Sequence, residues 1–275
     1  MTINCKGNLI DLSIPKVMGI LNVTPDSFFD GGKYKSESDI LSQVEAMLEQ
    51  GATFIDLGAY SSRPNANFVS ESEELQKSIP IVELLIKEFP QILISIDTFR
   101  SKVAKNCIEA GAAVVNDISA GHLDDQMIEV VGKLKVPYIM MHMRGTPQTM
   151  QQMTSYDDLL KEMIYYFSER IQLAKSKGIV DMIIDPGFGF AKSTKQNFEL
   201  LNKLELLNII DKPLLVGASR KSMIYKTLET TADQALNGTT SINTISLLKG
   251  TKILRVHDVK EAIETVKLFN EMISN

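Results

Sequence analysis

Eight short apolar runs along the chain each give way to a polar or charged side chain. They are Val17–Leu21 before Asn22, Phe54–Ile55 before Asp56, Ile92–Ile96 before Asp97, and Val114–Val115 before Asn116. Tyr138–Met141 precedes His142 and Met182–Ile184 precedes Asp185. Leu214–Val216 leads to Ser219, Arg220 and Lys221, and Ile253–Leu254 leads to Arg255 and His257. Continuous apolar runs of this length suit parallel strands buried on both faces, and helix-length segments between them imply crossover connections. Eight such units predict an α/β fold, a (β/α)8 TIM barrel in which residues 1–275 form a single domain. Catalytic groups of that fold sit at the carboxyl ends of the strands. Here those ends carry carboxylates, amides, imidazoles, a lysine and an arginine, so the pattern predicts an active-site rim.

Helical periodicity supplies the outer layer. Ile40, Leu41, Val44, Met47 and Leu48 form a 3.6-residue stripe over 37–50, and Gly51 stops it. Further helices are predicted over 71–89 with a bend at Pro80, and over 101–110, 156–177, 194–210, 232–249 and 259–273. Residues 1–16 precede the first barrel strand, and their apolar stretch is expected to plug the barrel floor. Loops 24–35, 59–70 and 142–155, after the first, second and fifth strands, exceed the ~2–6 residues usual in such units and read as binding loops. Those after the third and fourth strands read as short.

Composition narrows the function classes. The chain is 44% hydrophobic and 23% charged, an ordinary globular balance, and has no Pro-, Gly- or Ser-rich linker. A net charge of −5 speaks against a nucleic-acid partner, which selects a basic surface. Cys5 and Cys107 lack metal or redox spacing and read as free thiols of a reducing compartment. With no signal-like amino terminus and no apolar run near the ~20 residues that span a bilayer, no membrane partner and a cytoplasmic location are expected.

Several motifs resemble sites that they do not complete. Gly187-Phe188-Gly189-Phe190-Ala191-Lys192 lacks the third glycine of a dinucleotide fingerprint, and Gly217-Ala218-Ser219-Arg220-Lys221-Ser222 lacks the glycine before the lysine of a phosphate loop. His142 has no second histidine or cysteine at zinc spacing and reads as a structural or rim histidine. Asp124-Asp125 and Asp157-Asp158 read as solvated helix starts.

The segment Met18–Gly32 joins Asn22 to Thr24-Pro25-Asp26-Ser27, two phenylalanines and two glycines. It closely resembles the first signature of the dihydropteroate synthases, pterin-binding enzymes of folate biosynthesis inhibited by sulfonamides. The resemblance continues in order through Asp97-Thr98-Phe99-Arg100, Asn116-Asp117, Asp185-Pro186-Gly187-Phe188-Gly189-Phe190, Ser219-Arg220-Lys221-Ser222 and Arg255-Val256-His257. One loop departs. Where the family commonly has G-G-E-S-T-R-P, this chain has Gly58-Ala59-Tyr60-Ser61-Ser62-Arg63-Pro64, which keeps a hydroxyl and the arginine but changes the loop's shape.

The resemblance implies a transferase that condenses 6-hydroxymethyl-7,8-dihydropterin diphosphate with 4-aminobenzoate, giving 7,8-dihydropteroate and pyrophosphate by an SN1-like route. On that reading Asp97, Asn116 and Asp185 accept from the pterin, and Lys221 donates to it. Ile118, Met140 and Phe190 line its faces, and Gly189 and Gly217 complete the pocket. Asn22, Arg63, Arg255 and His257 hold the diphosphate, with Mg²⁺ as cofactor and Asn22 as its protein ligand. Phe28, Ser62, Arg63, Pro64, Phe190, Lys221 and Ser222 surround aminobenzoate, whose carboxylate suits the helix start at Ser222. Asp97 stabilises the cation left by departing pyrophosphate, Asp30 is a proton acceptor, and Arg63 and Lys221 complete the catalytic set. The partners are small-molecule substrates, and a homodimer through the outer helices is implied.

Two rivals remain at this stage. A pterin-binding methyltransferase barrel shares the acidic pocket but has no need of Ser219-Arg220-Lys221 with Arg255-Val256-His257. A non-catalytic pterin-binding protein has no use for a leaving-group site around Asn22, Asp30 and Arg63.

Overall fold

The computed structural model describes residues 1–23, 37–60 and 69–274. An antiparallel hairpin, β1 (Thr2–Cys5) and β2 (Asn8–Asp11), precedes the barrel. The barrel strands are β3 (Lys16–Asn22), β4 (Phe54–Gly58), β5 (Ile94–Asp97), β6 (Val114–Asp117), β7 (Tyr138–Met141), β8 (Met182–Asp185), β9 (Leu214–Val216) and β10 (Thr251–Val256). They pair in parallel in chain order, and β10 closes the ring against β3. All eight runs predicted as strands are strands.

Side chains alternate across each strand, and the alternation divides the core in two. One set packs outward against the helices, among them Val17, Leu21, Ile55, Leu57, Ile96, Val115, Met140, Ile184 and Val216. The other fills the lower barrel: Met18, Phe54, Val114, Ile139, Ile183, Leu215 and Ile253. Ile3, Cys5 and Leu12 belong to this second cluster, so the amino-terminal hairpin does plug the floor.

The helices are α1 (Glu37–Glu49), α2 (Glu71–Glu88), α3 (Ser101–Glu109), α4 (Met127–Leu134), α5 (Leu159–Ser176), α6 (Thr194–Asn202), α7 (Ser222–Thr227), α8 (Leu236–Leu248) and α9 (Val259–Ser274). Local chemistry explains the departures from periodicity. Asp158 caps the Lys161 N–H at 3.0 Å, so α5 starts at Leu159 rather than near Tyr156. The segment predicted as one helix over 194–210 splits, because the Lys203 N–H is shared between the Glu199 and Leu200 carbonyls and the chain tightens into a 3-10 turn over Leu204–Ile210. Asp124 does more than start a helix: it caps Ser101 of α3 from across the fold, at 2.7 Å. The loop after β6, residues 118–126, is longer than expected. The carboxylate of Asp117 shapes it, accepting from Ser119, Gly121 and Tyr138.

Candidate active site

The rim residues follow from the same alternation that builds the floor. Two positions beyond each inward apolar residue the inner face changes character: Phe54 to Asp56, Val114 to Asn116, Ile183 to Asp185, Leu215 to Gly217 and Ile253 to Arg255. Asn22 and Asp97 lie in one register row, each paired with Gly58, and Asp97 pairs onward with Asn116. A Cβ at Gly58 would stand 3.5 Å from Asn22 Oδ1 and 3.6 Å from Asp97 Cβ, so the two side chains flank that glycine. Strand geometry alone thus brings residues from seven strands to one end of the barrel.

Arg255 organises the acids. Its Nε donates to Asp56 Oδ2 at 2.5 Å, and its Nη2 donates to Asp97 Oδ2 at 2.7 Å. Asn116 Nδ2 also donates to the Asp56 carboxylate, at 3.1 Å. The amide is thereby oriented with its nitrogen spent on Asp56 and its oxygen left as an acceptor. Burial pushes Asp97 up to about 7, Asp56 and Glu74 add to the shift, and Arg255 opposes it. Burial by itself would lower the pKa of Arg255, but Asp56 and Asp97 outweigh it and hold the guanidinium charged. The fork expected to face a diphosphate is therefore occupied along one edge by carboxylates. Arg255 couples the two halves of the site, which the sequence reading had kept apart.

Across the barrel, Asp185 and Lys221 form a second charged group. Burial raises the pKa of Asp185 against the pull of Lys221, and burial lowers that of Lys221 to about 8. Asp185 Oδ1 accepts from Gly187 N at 2.7 Å, starting a tight turn through Phe190. Gly187 has a φ of +66°, and a Cβ there would meet the His142 carbonyl oxygen at 2.2 Å, so only glycine fits. Gly189 donates to Asn197 Oδ1 at 2.7 Å, with a φ of +81°. Lys221 Nζ donates to the Phe188 carbonyl at 2.5 Å and lies 4.7 Å from the centre of the Phe190 ring. A Cβ at Gly217 would meet Arg255 at 3.7 Å and Asp185 Oδ2 at 3.9 Å, so that glycine forms floor between the two charged groups.

His257 stands beside the arginine. Its backbone N–H donates to Ser219 Oγ at 3.2 Å, and its Nδ1 lies 3.0 Å from the same oxygen. Ser219 Oγ thus meets His257 at both its backbone nitrogen and its ring and fixes the ring's place beside Arg255. Arg220, φ +55°, binds Asp258 through Nε and Nη2 and the Ala232 and Asp233 carbonyls through Nη1. It anchors the loop that presents Lys221 and Ser222. Ser222 begins α7, only six residues long.

One assignment is overturned. Met140 is fully buried in the outer core against the helices, while Met141 joins Ile118, Met143, Met150 and Phe190 at the rim. Adjacent strand residues face opposite sides, so the methionine available to a ring at this end is Met141. Ile118 and Phe190 belong to the same apolar cluster as Met141. Phe28, Asp30, Ser62, Arg63 and Pro64 fall outside the described residues. The sequence reading assigned no role to Asp56, Arg220 or Lys192. Lys192, 3% exposed, was visible only as the end of a rejected glycine motif.

The departing second-strand loop makes its own contacts. The Tyr60 ring meets Phe99 edge-on at 5.0 Å, and Arg100 lies over both rings. Gln148 Nε2 donates to the Tyr60 hydroxyl at 3.1 Å, tying this loop to the one after β7. Arg100 is itself paired with buried Glu74.

Comparison with known proteins agrees with this geometry. A family model described as pterin binding enzyme matches residues 18–257. Dihydropteroate synthase of Escherichia coli K12 is 41% identical over 276 residues, covering 100% of this chain and 97% of the relative. The Synechocystis enzyme is 44% identical over 255 residues, covering 92% of this chain and 88% of its own. Yersinia pestis dihydropteroate synthase, solved with a sulfonamide drug, superposes with a TM-score of 0.96 at 40% identity, covering 100% of both chains. The Xanthomonas albilineans enzyme with 4-aminobenzoic acid gives 0.91 at 35% identity, covering 100% of this chain and 98% of that one. A closed parallel barrel, an acidic inner rim crossed by one arginine, and full-length likeness together show that the chain belongs to the dihydropteroate synthase family of pterin-binding enzymes.

Proposed function

We propose that the rim carries out the family's condensation, in which 6-hydroxymethyl-7,8-dihydropterin diphosphate and 4-aminobenzoate give 7,8-dihydropteroate and pyrophosphate, with the following division of labour. The carrying observation is that Asp97, Asn116 and Asp185 converge on one inner face with Arg255 and Lys221 among them. The pterin's amino and ring N–H groups need acceptors, since a buried donor left unpaired costs ~1–3 kcal/mol. Asp185, Asp97 and the oriented Asn116 oxygen supply them, Lys221 donates to the carbonyl, and Met141, Ile118 and Phe190 give apolar contact. On this reading residues 1–275 form one pterin-binding barrel domain.

The C–O bond between the methylene and the diphosphate breaks with its electron pair leaving on oxygen. The resulting cation is delocalised into the pterin, and Asp97 offers it negative charge. The amine nitrogen of aminobenzoate then forms the C–N bond and gives its proton to the departing diphosphate or to Asp30. Arg255 and His257 receive the leaving group. Among the described residues no cluster of three acidic, histidine or cysteine side chains could hold a metal. On this reading Mg²⁺ would be carried by the diphosphate, with the Asn22 side-chain oxygen as its protein ligand. Such an ion would neutralise charge on the leaving oxygens. Arg63, Ser62, Pro64, Phe28 and Ser222 complete the aminobenzoate site in this proposal.

A homodimer and a cytoplasmic location belong to the same reading. Ile245, Leu248, Leu268 and Met272 are exposed apolar residues on α8 and α9, and both cysteines are free and buried. No described helix is long and apolar enough to cross a membrane.

Labelled aminobenzoate incubated with the pterin diphosphate and Mg²⁺ tests the reaction. Labelled dihydropteroate with matching pyrophosphate is the expected result. Pterin binding without turnover, or methyl transfer from methyltetrahydrofolate, would overturn it.

A further inference from the structure

Lys192 follows the Gly187–Phe190 turn and points back beneath it. Its ammonium is buried and makes three contacts, each at 3.0 Å: the Gly187 carbonyl, the Phe190 carbonyl and His142 Nδ1. An ammonium has three N–H donors, and the two carbonyls and the ring nitrogen stand where those three can be received. His142 is able to accept because burial, with Lys192 and Arg144 adding to it, holds its pKa well below the ordinary histidine value. The charged groups acting on Lys192 are Asp185, which favours the cation, and Lys221 and Arg144, which oppose it alongside burial.

The placement of those acceptors matters more than their number. Gly187 also donates to the Asp185 carboxylate, and Phe190 carries the ring beneath Lys221. His142 N donates to the Asp185 backbone oxygen at 2.9 Å, so the histidine is registered to the same strand end. Two outer anchors hold the turn: Asn197 Oδ1 on Gly189 N, and the Tyr156 hydroxyl on the Ala191 carbonyl. Among the described residues, the side chain that grips both ends of the Gly187–Phe190 segment at once is that of Lys192. Carbonyls converging on one point repel each other, and a buried cation between them turns that repulsion into attraction.

We propose that Lys192 is a positioning residue of the pterin pocket, its ammonium setting the placement of the Phe190 ring and the Asp185 carboxylate from behind. This rests on the functional reading above. Lys192 touches no reacting atom; it acts through the turn. Its loss should therefore weaken pterin binding while leaving the chemistry of a saturated site largely intact.

The test compares the parent with Lys192→Met, which keeps length and removes charge. Titration calorimetry with 6-hydroxymethylpterin should show binding weakened about tenfold or more, the scale expected for unpaired buried carbonyls. KM for the pterin diphosphate should rise in step, with kcat held within about threefold. A merely structural role would lower the melting temperature and the active fraction without moving Kd. A second measurement uses the parent alone, so failure of the variant to fold does not stop the test. The nitrogen-15 signal of the Lys192 ammonium should shift on saturation with the pterin. A folded variant with parent-like Kd, or an ammonium signal that ignores the pterin, would overturn the role of Lys192 alone. A parent that does not bind 6-hydroxymethylpterin would overturn the functional reading and this inference with it.

Discussion

The two ends of the barrel are built from the same strands and differ in nearly everything else. At the floor, Met18, Phe54, Val114, Ile139, Ile183, Leu215 and Ile253 meet the hairpin residues Ile3, Cys5 and Leu12 in an apolar cluster. At the rim, two residues further along the same inner faces, stand Asp56, Asn116, Asp185 and Arg255. Burial of apolar area stabilises the floor by roughly 25 cal/mol per Å². The rim works against that gain, since burial raises Asp97 and Asp185 and lowers Lys192 and Lys221 from their ordinary pKa values. A buried charge tolerates burial only when paired. The contrast shows that stability is concentrated at one end, so that the other can hold groups whose protonation remains adjustable.

Removing Arg255 should give the largest effect and shows how tightly the rim is coupled. Arg255→Ala leaves Asp56 fully buried without its cation, an imbalance worth about 3–5 kcal/mol of stability. Because Asp97 and Asn116 lose their organiser too, pterin affinity should fall together with turnover. Urea denaturation with calorimetry checks both, and intact pterin binding would show the two halves of the rim to be independent after all.

At the floor the result should be one-sided. Phe54→Ala removes a ring 1% exposed and should destabilise by about 3–5 kcal/mol. Yet kcat/KM per folded molecule should match the parent, because no floor residue reaches the rim. A matching drop in specific activity would break the division between the two ends.

Asp185→Asn is milder. It should weaken pterin binding by ~1–3 kcal/mol, since an acceptor becomes partly a donor, and slow saturated turnover less. Unchanged affinity in a calorimetric titration removes Asp185 from the pocket.

The pH profile tests the rim without mutation. Asp97 must lose its proton to offer charge to a cation, so kcat/KM should rise as pH passes about 7. The buried lysines must keep theirs, so it should fall as Lys192 and Lys221 deprotonate, at about 7 and about 8. The expected profile is a narrow bell. Rates that stay flat across this range would mean that none of these groups governs the reaction.

The smallest effect should come from Tyr60→Phe. It removes the contact from Gln148, worth ~0.5–1.5 kcal/mol. The Michaelis constant for aminobenzoate should change slightly and that for the pterin not at all, which would confine this loop's influence to the outer part of the site.

The sequence alone determined the barrel, because eight buried parallel strands must each be a continuous apolar run and each run must end somewhere polar. It also determined which strand ends carry Asn22, Asp97, Asn116, Asp185 and Arg255, since covalent order places them there. Which face each side chain takes was legible only where an apolar residue alternates with a polar one. In Tyr138–Met141 every residue is apolar, and only closure of the ring decided that Met141, not Met140, looks into the site. The tertiary structure alone decided the pairings. Asp56 and Arg255 are 199 positions apart, and Lys192 meets His142 across 50. Periodicity reports what a residue's neighbours in the chain require of it. A buried charge is matched by whatever the closed barrel brings within about 3 Å, and that partner carries no mark in the local sequence.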